Sequence, residues 1–329
     1  MVADARVALF TTTFYNDSPE GKLRKGLASR FVQTAVDKGY PVFVVDGGTD
    51  DGRYIEDLKK WGAKAYLETQ RGLGPSRREA LDYADAWARE NGVPYLSWSE
   101  PEKVDFVRHI DNLIDAMQVS ESKLVVPSRA SLEGYPTAQQ WSEKFGNQLH
   151  TDGGYIGRGG QPLDTFFGPK VWHREMSPFF QVFGRENEKV AQELAQMRYE
   201  KSMRDYSASN SIESLRDRAE KDLRRTDHMQ HMPVCLMILE DNRALGEGAG
   251  SAIGFPVISH TIPYVHPPEQ TEVEQRKQDV WNKKRLGQMN WLAEQFDLVR
   301  RLHINHTLDE NLYRMLEEAK TATRLERNK

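Results

Sequence analysis

The sequence predicts an α/β protein in which a mixed, mostly parallel β-sheet is flanked by helices. Two observations carry this prediction. Short apolar, β-branched runs alternate with longer amphipathic segments up to about residue 130, and most of the runs end in a polar turn. Parallel strands joined by helices bury both faces of a sheet, which explains why these runs are almost wholly apolar. In such sheets ligands gather at the carboxyl ends of the strands, so the polar turns are where a site is expected.

The strand and helix segments follow one another in a regular order. Five runs predict strands, at residues 6–14, 41–46, 63–68, 94–98 and 123–126. Between them, apolar residues recur at helical spacing. The predicted helices lie between residues 23 and 39, at about 54–61, between 76 and 91, and between 107 and 117. Gly39, Gly62 and Asn91-Gly92 follow three of these helices, as expected at helix ends.

The later part of the chain is less regular. Residues 151–161 contain five glycines and predict a mobile loop, and residues 181–232 predict a charged, helical insertion. Apolar runs at 233–240 and 255–268 resemble strands. From about residue 272 the pattern is helical, with an apolar stripe suited to packing on its own core or on a second subunit. We therefore predict one α/β domain over 1–270 and a helical C-terminal extension over 271–329, through which a homo-oligomer could form.

The composition narrows the classes of function. The chain has 329 residues, 38% hydrophobic and 29% charged, with a net charge of −4. No basic excess favours nucleic acid, and no apolar run approaches the roughly 20 residues of a membrane-spanning helix. The N-terminus lacks a charged region followed by an apolar core, so we expect a cytoplasmic protein without a signal peptide. The one cysteine, Cys235, excludes an intrachain disulfide and a Cys-rich metal site.

A single carboxylate stands at the tip of the second predicted strand. In the stretch PVFVVDGGTDDG, residues 41–52, an apolar run ends on Asp46 and two glycines follow. A carboxylate in this position can accept hydrogen bonds from a nucleotide base or from ribose hydroxyls. It can equally cap the turn or the helix that follows, a position that Asp favours. The residues themselves leave both interpretations open.

A second stretch predicts an anion site. QRGLGPSRREA, residues 70–80, combines two glycines and three arginines at the start of a helix, where backbone N–H groups and the helix dipole attract anions. We expect Arg71 and Arg78 to face a phosphate or a base, with a solvated helix face as the alternative for Arg77 and Arg78. The fingerprint motifs of dinucleotide-binding and P-loop proteins are absent.

A third stretch, YLSWSEPEK at residues 95–103, places two carboxylates after the fourth predicted strand. Glu100 and Glu102 offer hard oxygen ligands of the kind that Mg²⁺ or Mn²⁺ prefers. The alternative is structural: Ser99 and Glu102 have the spacing of a capping box, with Pro101 near the first helical turn.

The order of these stretches resembles that of family-2-like glycosyltransferases of the GT-A fold. In that family a strand ending near P-T-Y-N precedes V-V-D-D-G-S-T-D-G-T, then a helix start of the type N-x-G-x-x-x-A-R-N, then a strand ending in D-x-D. The resemblance covers roughly residues 5–130, is patchy to about residue 270, and ends there. This chain departs from the pattern at Gly47, where the family often has a second Asp, and at Glu100-Pro101-Glu102, which replaces D-x-D.

The resemblance implies roles for particular residues. The nucleotide-sugar would be bound by Thr12, Phe14, Asp46, Arg71, Gly72, Arg78 and Trp98. Glu100, Glu102 and a histidine after the last strand, His266 or its rival His260, would hold the divalent metal. Asp227 would be the catalytic base, with Asp164 and His228 as weaker alternatives. The segment FFGPKVWHRE resembles the family's G-x-x-x-x-R-R region under the acceptor pocket, so Gly168 and Trp172 would lie on the acceptor side.

The expected function follows from this resemblance. It implies transfer of a hexose from a UDP-sugar or GDP-sugar to the hydroxyl of a sugar or another small acceptor, assisted by Mn²⁺ or Mg²⁺ as a Lewis acid. Three alternatives remain at this point. They are a sugar-phosphate nucleotidyltransferase, a non-catalytic scaffold of the same fold whose altered acidic motif has lost its metal, and a module that binds a partner through the charged insertion.

Overall fold

The computed structural model describes residues 5–182, 188–204, 211–225, 231–246, 256–276, 278–304 and 314. Its centre is one seven-stranded sheet, formed by β1 (Val7–Thr13), β2 (Val42–Asp46), β3 (Lys64–Leu67), β4 (Tyr95–Trp98), β5 (Leu124–Arg129), β6 (Lys170–His173) and β7 (Val257–Ile262). The strand order is β3-β2-β1-β4-β6-β5-β7. Strand β6 runs antiparallel to β4 and β5, and the other pairs are parallel. The predicted fold class is confirmed.

The sheet is buried on both faces because its strands are apolar on both. In β1, Ala8 and Phe10 point into one apolar cluster, whereas Val7 and Leu9 point into the other. This alternation is the period-two geometry of a strand, and the nearly continuous apolar run is the signature of a parallel strand covered by helices.

Eleven α-helices lie in the part of the chain that the structure describes. They are α1 (Pro19–Asp37), α2 (Tyr54–Lys60), α3 (Leu73–Glu90), α4 (Ile110–Val119), α5 (Thr137–Asp152), α6 (Ser177–Gln181), α7 (Glu188–Arg204), α8 (Ile212–Arg225), α9 (Met232–Gly246), α10 (Pro268–Gln275) and α11 (Gln278–Ile304). Helices α1, α2 and α4 pack on one face of the sheet. Helices α3, α6, α7, α8, α9 and α11 contribute to the cluster on the other face. Within the described ranges, no helix combines the length and the apolar character that crossing a membrane requires.

One predicted element is wrong. The apolar run at residues 233–240, expected to be a strand, forms most of α9. Five consecutive residues, Val234 to Ile238, are buried. A helix buried all round carries no amphipathic period, so a short apolar run of this kind cannot be told from a buried strand by its pattern.

Candidate functional site

A cleft of about 540 Å³ lies at the carboxyl ends of β1 and β4. These two strands are neighbours in the sheet, yet the chain leaves β1 towards β2 on one side and leaves β4 towards β5 on the other. Their connections therefore diverge and leave a crevice, which is where open α/β sheets bind ligands. The residues that line it are Thr11, Thr12, Thr13, Phe14, Tyr15, Arg24, Gly47, Glu68, Arg71, Gly72, Leu73, Ser76, Arg77, Trp98, Ser99, Glu100, Pro101 and Glu102.

Asp46, at the tip of β2, is fully buried and does not line this cleft. One of its carboxylate oxygens accepts hydrogen bonds from the backbone N–H groups of Gly48 (2.9 Å) and Thr49 (2.7 Å). The other accepts from the Thr13 hydroxyl at 2.6 Å. The carboxylate therefore closes its own turn and ties that turn to the end of β1. This is the capping arrangement that the sequence left open as an alternative to nucleotide binding.

The turn after Asp46 positions Phe14 at the cleft. The backbone N–H of Tyr15 donates to the Thr49 hydroxyl at 3.0 Å, which fixes the chain on both sides of Phe14. A Cβ atom at Gly47 would lie 3.0 Å from the Phe14 ring, so a residue without a side chain gives this ring its space. The Phe14 side chain is 69% exposed and offers an apolar surface to a ligand.

The start of α3 forms the positively charged wall of the cleft. Gly72 precedes the helix with a φ of 134°, a conformation that favours glycine, and no side chain caps this end. Arg71, which immediately precedes Gly72, is exposed and lines the cleft. Arg77 is buried, and its guanidinium carbon lies 4.5 Å from the centre of the Trp98 ring. Of the predicted residues, Arg71, Gly72 and Trp98 therefore come together in the cleft.

Arg78, in contrast, does not line the cleft. Successive residues of an α-helix point about 100° apart, so the neighbour of a residue that faces the cleft points elsewhere. The sequence predicted a binding role for Arg78, whereas in the structure Arg77 lines the cleft. The signal that could have separated them is the apolar stripe of α3, because Arg77 precedes Ala80, Ala84 and Ala88 by one, two and three helical turns on the buried face.

Glu102 lies in the opposite wall and is bound by the protein itself. Its Oε1 accepts a hydrogen bond from the Tyr15 hydroxyl at 3.1 Å and lies 2.8 Å from Arg24 Nη2. Burial, and next to it the charge of Glu102, raise the pKa of Tyr15 well above its usual range. The same carboxylate raises the pKa of Arg24. The Glu102 side chain is 5% exposed, so its charge is held by these two partners rather than by water.

Glu100 is the more accessible carboxylate, with its side chain 22% exposed. Its Oε2 lies 3.6 Å from Lys103 Nζ. The carboxylate also packs directly on Gly168, where a Cβ atom would approach Oε2 to 2.4 Å. Gly168 thus lies next to a residue that lines the cleft. The capping box that the sequence offered as an alternative is not formed, because the Ser99 hydroxyl donates to the Glu100 carbonyl at 2.9 Å and the next helical turn begins at Val104.

His266, the third predicted metal ligand, is buried outside the lining of the cleft. Its ring stacks on Tyr135 with 4.0 Å between the ring centres, and its Nε2 lies 4.0 Å from Glu274 Oε2. Burial lowers the pKa of His266 to about 3, with smaller contributions from the charges of Lys103 and Arg129. The rival His260 lies in β7, in register with Pro127 of β5.

These residues do not fit the metal that the resemblance implies. The two glutamates are bound by Arg24, Tyr15 and Lys103, and His266 lies among cationic neighbours. In the described part of the chain, no group of three or more His, Cys, Asp or Glu side chains is arranged to hold a metal ion. We therefore derive no step of the chemistry through a bound metal.

Trp172 and Asp164, two further predicted residues, do not line the cleft. Trp172 is fully buried, edge-on to Phe10 at 5.6 Å and stacked on Phe180 at 4.0 Å, so it belongs to the core and not to an acceptor pocket. Asp164 is held by the buried Arg129 through two side-chain hydrogen bonds of 2.8 Å. Asp227 and His228 lie outside the described residues.

Sequence reasoning gave no role to several residues at or beside the cleft, among them Tyr15, Arg24, Arg77 and Lys103. Tyr15 and Lys103 each stand within three residues of a predicted site residue. Arg24 comes from α1, and no local pattern indicates that this helix reaches Glu102.

Comparison with known proteins gives a likeness of fold only. No protein-family model matches the sequence, and no curated protein matches it. Three solved structures resemble the chain in part. A protein of Desulfovibrio desulfuricans G20 described as a nucleotide-diphospho-sugar transferase is 10% identical, with a TM-score of 0.30 over 39% of this chain and 60% of that one. The other two are glucosyl-3-phosphoglycerate synthase of M. tuberculosis and 4-diphosphocytidyl-2C-methyl-D-erythritol synthase of Anaerococcus prevotii DSM 20548.

The glucosyl-3-phosphoglycerate synthase is 12% identical, with a TM-score of 0.34 over 54% of this chain and 60% of that one. The 4-diphosphocytidyl-2C-methyl-D-erythritol synthase is 11% identical, with a TM-score of 0.38 over 84% of this chain and 96% of that one. The chain thus spans about three fifths of the length of the first two structures. Likenesses at this level carry no argument about substrate or reaction.

Proposed function

We propose that this protein is a glycosyltransferase that moves a hexose from a UDP-sugar or GDP-sugar to an acceptor hydroxyl. The observation that carries the proposal is the cleft between β1 and β4, whose one wall is cationic and aromatic and whose other wall is acidic. Its volume of about 540 Å³ lies within the range of roughly 300–1,000 Å³ typical of small-molecule sites.

The cationic wall suits the diphosphate of such a donor. Arg71 and Arg77 stand beside the uncapped N-terminus of α3, where the backbone N–H groups and the helix dipole favour an anion. Arginine binds phosphate through two parallel N–H donors, which fixes the orientation of the phosphate as well as its charge. The diphosphate in this position would direct the sugar towards the acidic wall.

The end of β1 suits the nucleoside. The exposed ring of Phe14 can pack against a base, and the hydroxyls of Thr11 to Thr13 lie in the same wall of the cleft. In this proposal Asp46 acts through Thr13 and the turn that positions Phe14, and it does not touch the nucleotide. The sequence predicted that Asp46 binds the nucleotide. We propose a supporting role instead, because Asp46 is completely buried and its carboxylate already accepts three hydrogen bonds.

The acidic wall suits the acceptor. An acceptor hydroxyl becomes a better nucleophile when a carboxylate accepts its proton. Of the two glutamates, Glu100 is the more exposed, whereas Glu102 is occupied by Arg24 and Tyr15. We therefore propose Glu100 as the group that faces the acceptor, a role that the sequence analysis gave to Asp227.

A ligand panel tests this function. Thermal unfolding is followed with UDP, GDP, UDP-glucose and GDP-mannose, each in EDTA and in Mn²⁺, and with uridine and guanosine as controls without phosphate. A ligand that binds only the folded state at about 100 times its Kd adds about 2.7 kcal/mol, a shift of several degrees in Tm. We expect a shift with one nucleotide series and none with the nucleosides. No shift with any of them would refute the assignment.

Product analysis separates the transferase from the nucleotidyltransferase that shares the expected fold. Release of free UDP or GDP from the donor supports hexosyl transfer, whereas formation of pyrophosphate from a nucleoside triphosphate and a sugar phosphate identifies nucleotidyl transfer. Binding of the donor without turnover in the presence of glycerol, simple sugars and sugar phosphates would favour the scaffold alternative.

A further inference from the structure

The acidic motif at the end of β4 is neutralised by side chains of the protein. Glu102 is bound by Arg24 at 2.8 Å and by the Tyr15 hydroxyl at 3.1 Å, and Glu100 lies 3.6 Å from Lys103. A divalent cation on Glu102 would have to displace Arg24 from a side chain that is almost fully buried. The cation would also face Lys103, which repels it. Both effects oppose the use of this motif as a metal site.

The cleft also contains positive charge, from Arg71 and Arg77, towards which a diphosphate can orient. Arg77 is buried, and the Trp98 ring at 4.5 Å holds the plane of its guanidinium in place. A charge that is shielded from water acts more strongly on a ligand than an exposed one. Arg71 adds a second guanidinium at the exposed edge of the same wall, next to the start of α3.

We propose that the cleft binds the diphosphate of its donor without a divalent metal, and that Arg71 and Arg77 supply the neutralising charge that Mn²⁺ or Mg²⁺ would otherwise supply. This inference rests on the proposed function, since it names how that donor is held. The glutamates then serve the acceptor side, and Arg24 keeps Glu102 from repelling the phosphates.

Calorimetric titration of the full chain tests the inference. UDP and GDP are titrated in EDTA and in Mn²⁺, and inorganic pyrophosphate is titrated in EDTA alone, because it binds an anion site whatever the nucleoside. We expect affinities in EDTA and Mn²⁺ that agree within about threefold, and binding of pyrophosphate in EDTA that weakens as salt is added. Binding that needs Mn²⁺, or that becomes more than tenfold tighter with it, overturns the inference.

The same titrations separate the failure of this inference from the failure of the proposed function. Metal-dependent binding of UDP or GDP leaves the transferase function standing and removes only the metal-free site. Binding of pyrophosphate without either nucleotide keeps the metal-free anion site and removes the nucleotide-sugar function. No binding of any of the three, in either condition, removes both.

Two variants identify the arginines, and a third provides the matched control. Arg71→Gln and Arg77→Gln are each expected to weaken pyrophosphate and nucleotide binding in EDTA tenfold or more, the usual loss for a charge-assisted hydrogen bond. Arg89→Gln removes the same charge at the other end of α3, where Arg89 pairs with Asp85 at 2.7 Å, and should leave affinity within twofold. Arg71 is exposed, so its variant is expected to fold even if Arg77→Gln does not. Unchanged binding in Arg71→Gln, with Arg77→Gln either unchanged or unfolded, overturns the inference.

Discussion

Two acidic strand ends of the same sheet differ in what neutralises their carboxylates. At the end of β2, Asp46 is bound by two backbone N–H groups and a threonine hydroxyl, all neutral donors. At the end of β4, Glu102 and Glu100 are bound chiefly by charged side chains, Arg24 and Lys103. Both ends follow a buried strand and both suggest a ligand site in the sequence, but of these three carboxylates only those of Glu100 and Glu102 belong to residues that line the cleft.

The kind of hydrogen-bond donor distinguishes a carboxylate that stabilises the fold from one that can take part in ligand binding. Backbone donors cannot leave their carboxylate without undoing the turn, so Asp46 is fixed as long as the chain is folded. Long cationic side chains can exchange one anion for another at a smaller cost, since their own rotation frees them. We therefore expect substitutions at the β2 end to act on stability, and substitutions at the β4 end to act on ligand binding.

The largest effect is expected at Asp46. Replacing Asp46 with Ala leaves the N–H groups of Gly48 and Thr49 and the Thr13 hydroxyl without their acceptor, in a buried place. We expect the free energy of unfolding to fall by about 3–5 kcal/mol, measured by urea denaturation. Asp46→Asn keeps one acceptor oxygen and should lose less.

The matched control for this substitution is Asp51→Asn in the same turn. Asp51 is exposed with a φ of 55°, a conformation that asparagine adopts readily, so the change should stay within about 0.5 kcal/mol. An Asp46→Ala variant as stable as the natural protein but unable to bind UDP or GDP would reverse the comparison and make Asp46 a ligand of the nucleotide.

The next effect on stability is expected from pH, through two buried histidines. His150 Nε2 and His231 Nδ1 lie 2.9 Å apart. Burial lowers the pKa of His231 to about 3 and that of His150 well below its usual value. Each histidine therefore binds a proton more readily in the unfolded chain, so stability is present above about pH 6.5 and is lost as the pH falls. Between pH 7.5 and 5.5, protonation of His231 in the unfolded chain should lower the free energy of unfolding by about 1 kcal/mol, and His150 should lower it further.

Urea denaturation between pH 7.5 and 5.0 measures this loss. His231→Gln removes one titrating group and keeps a polar side chain, so its stability should fall less steeply with acid than that of the natural protein. A stability that is flat between pH 7 and 5.5 would contradict the assignment of neutral, buried histidines.

The sequence allowed the fold to be predicted as far as local patterns reach. The strands up to β5 were found because each apolar run is bounded by polar or glycine-containing turns. Helix α9 was missed because its buried residues leave no period, and β6 was not recognised because only two of its four residues, Val171 and Trp172, are apolar. Both failures occur where packing between distant parts of the chain decides the structure.

The site was predicted in position but not in detail. Strand ends and glycines indicated the cleft, because the carboxyl ends of parallel strands meet at one edge of the sheet. Whether a carboxylate is already bound depends on residues far away in sequence, as with Arg24 and Glu102, which are 78 positions apart. No pattern in a single sequence shows such a pair. The metal ligands inferred from the resemblance therefore stay a prediction, and the partners that Glu100 and Glu102 have in the structure could not be foreseen from the sequence.

Substituting alanine for a glycine near each strand end is also expected to lower stability, and the two effects should differ. Gly168 has a φ of 96°, and a Cβ atom there would lie 2.4 Å from Glu100 Oε2, so Gly168→Ala should cost about 2–3 kcal/mol through strain and collision together. Gly48, with a φ of 97° at the β2 end, has open space around its Cβ position, so Gly48→Ala should cost only the strain, about 1 kcal/mol.

The double variant Gly168→Ala with Glu100→Ala isolates the collision. Because the two groups are in contact, their effects should not add, and the double variant should recover more than 1 kcal/mol relative to the sum of the single ones. Additive losses in thermal or urea unfolding would show that the Glu100 carboxylate does not rest on Gly168.

The smallest effect on stability is expected for Arg24→Gln, which leaves Glu102 with the Tyr15 hydroxyl as its described side-chain donor. Glu102 is buried, but the Arg24 side chain is 45% exposed, so water can take the place of the guanidinium when the side chain is shortened, and we expect a loss of about 1 kcal/mol. The matched control is Lys25→Gln on the same helix, because Lys25 pairs with Asp50 at the β2 end. Both variants should unfold at nearly the same urea concentration.

Only Arg24→Gln should weaken UDP or GDP binding, since an uncompensated Glu102 repels the phosphates. Equal nucleotide affinities in the two variants would remove the distinction between the β2 and β4 ends.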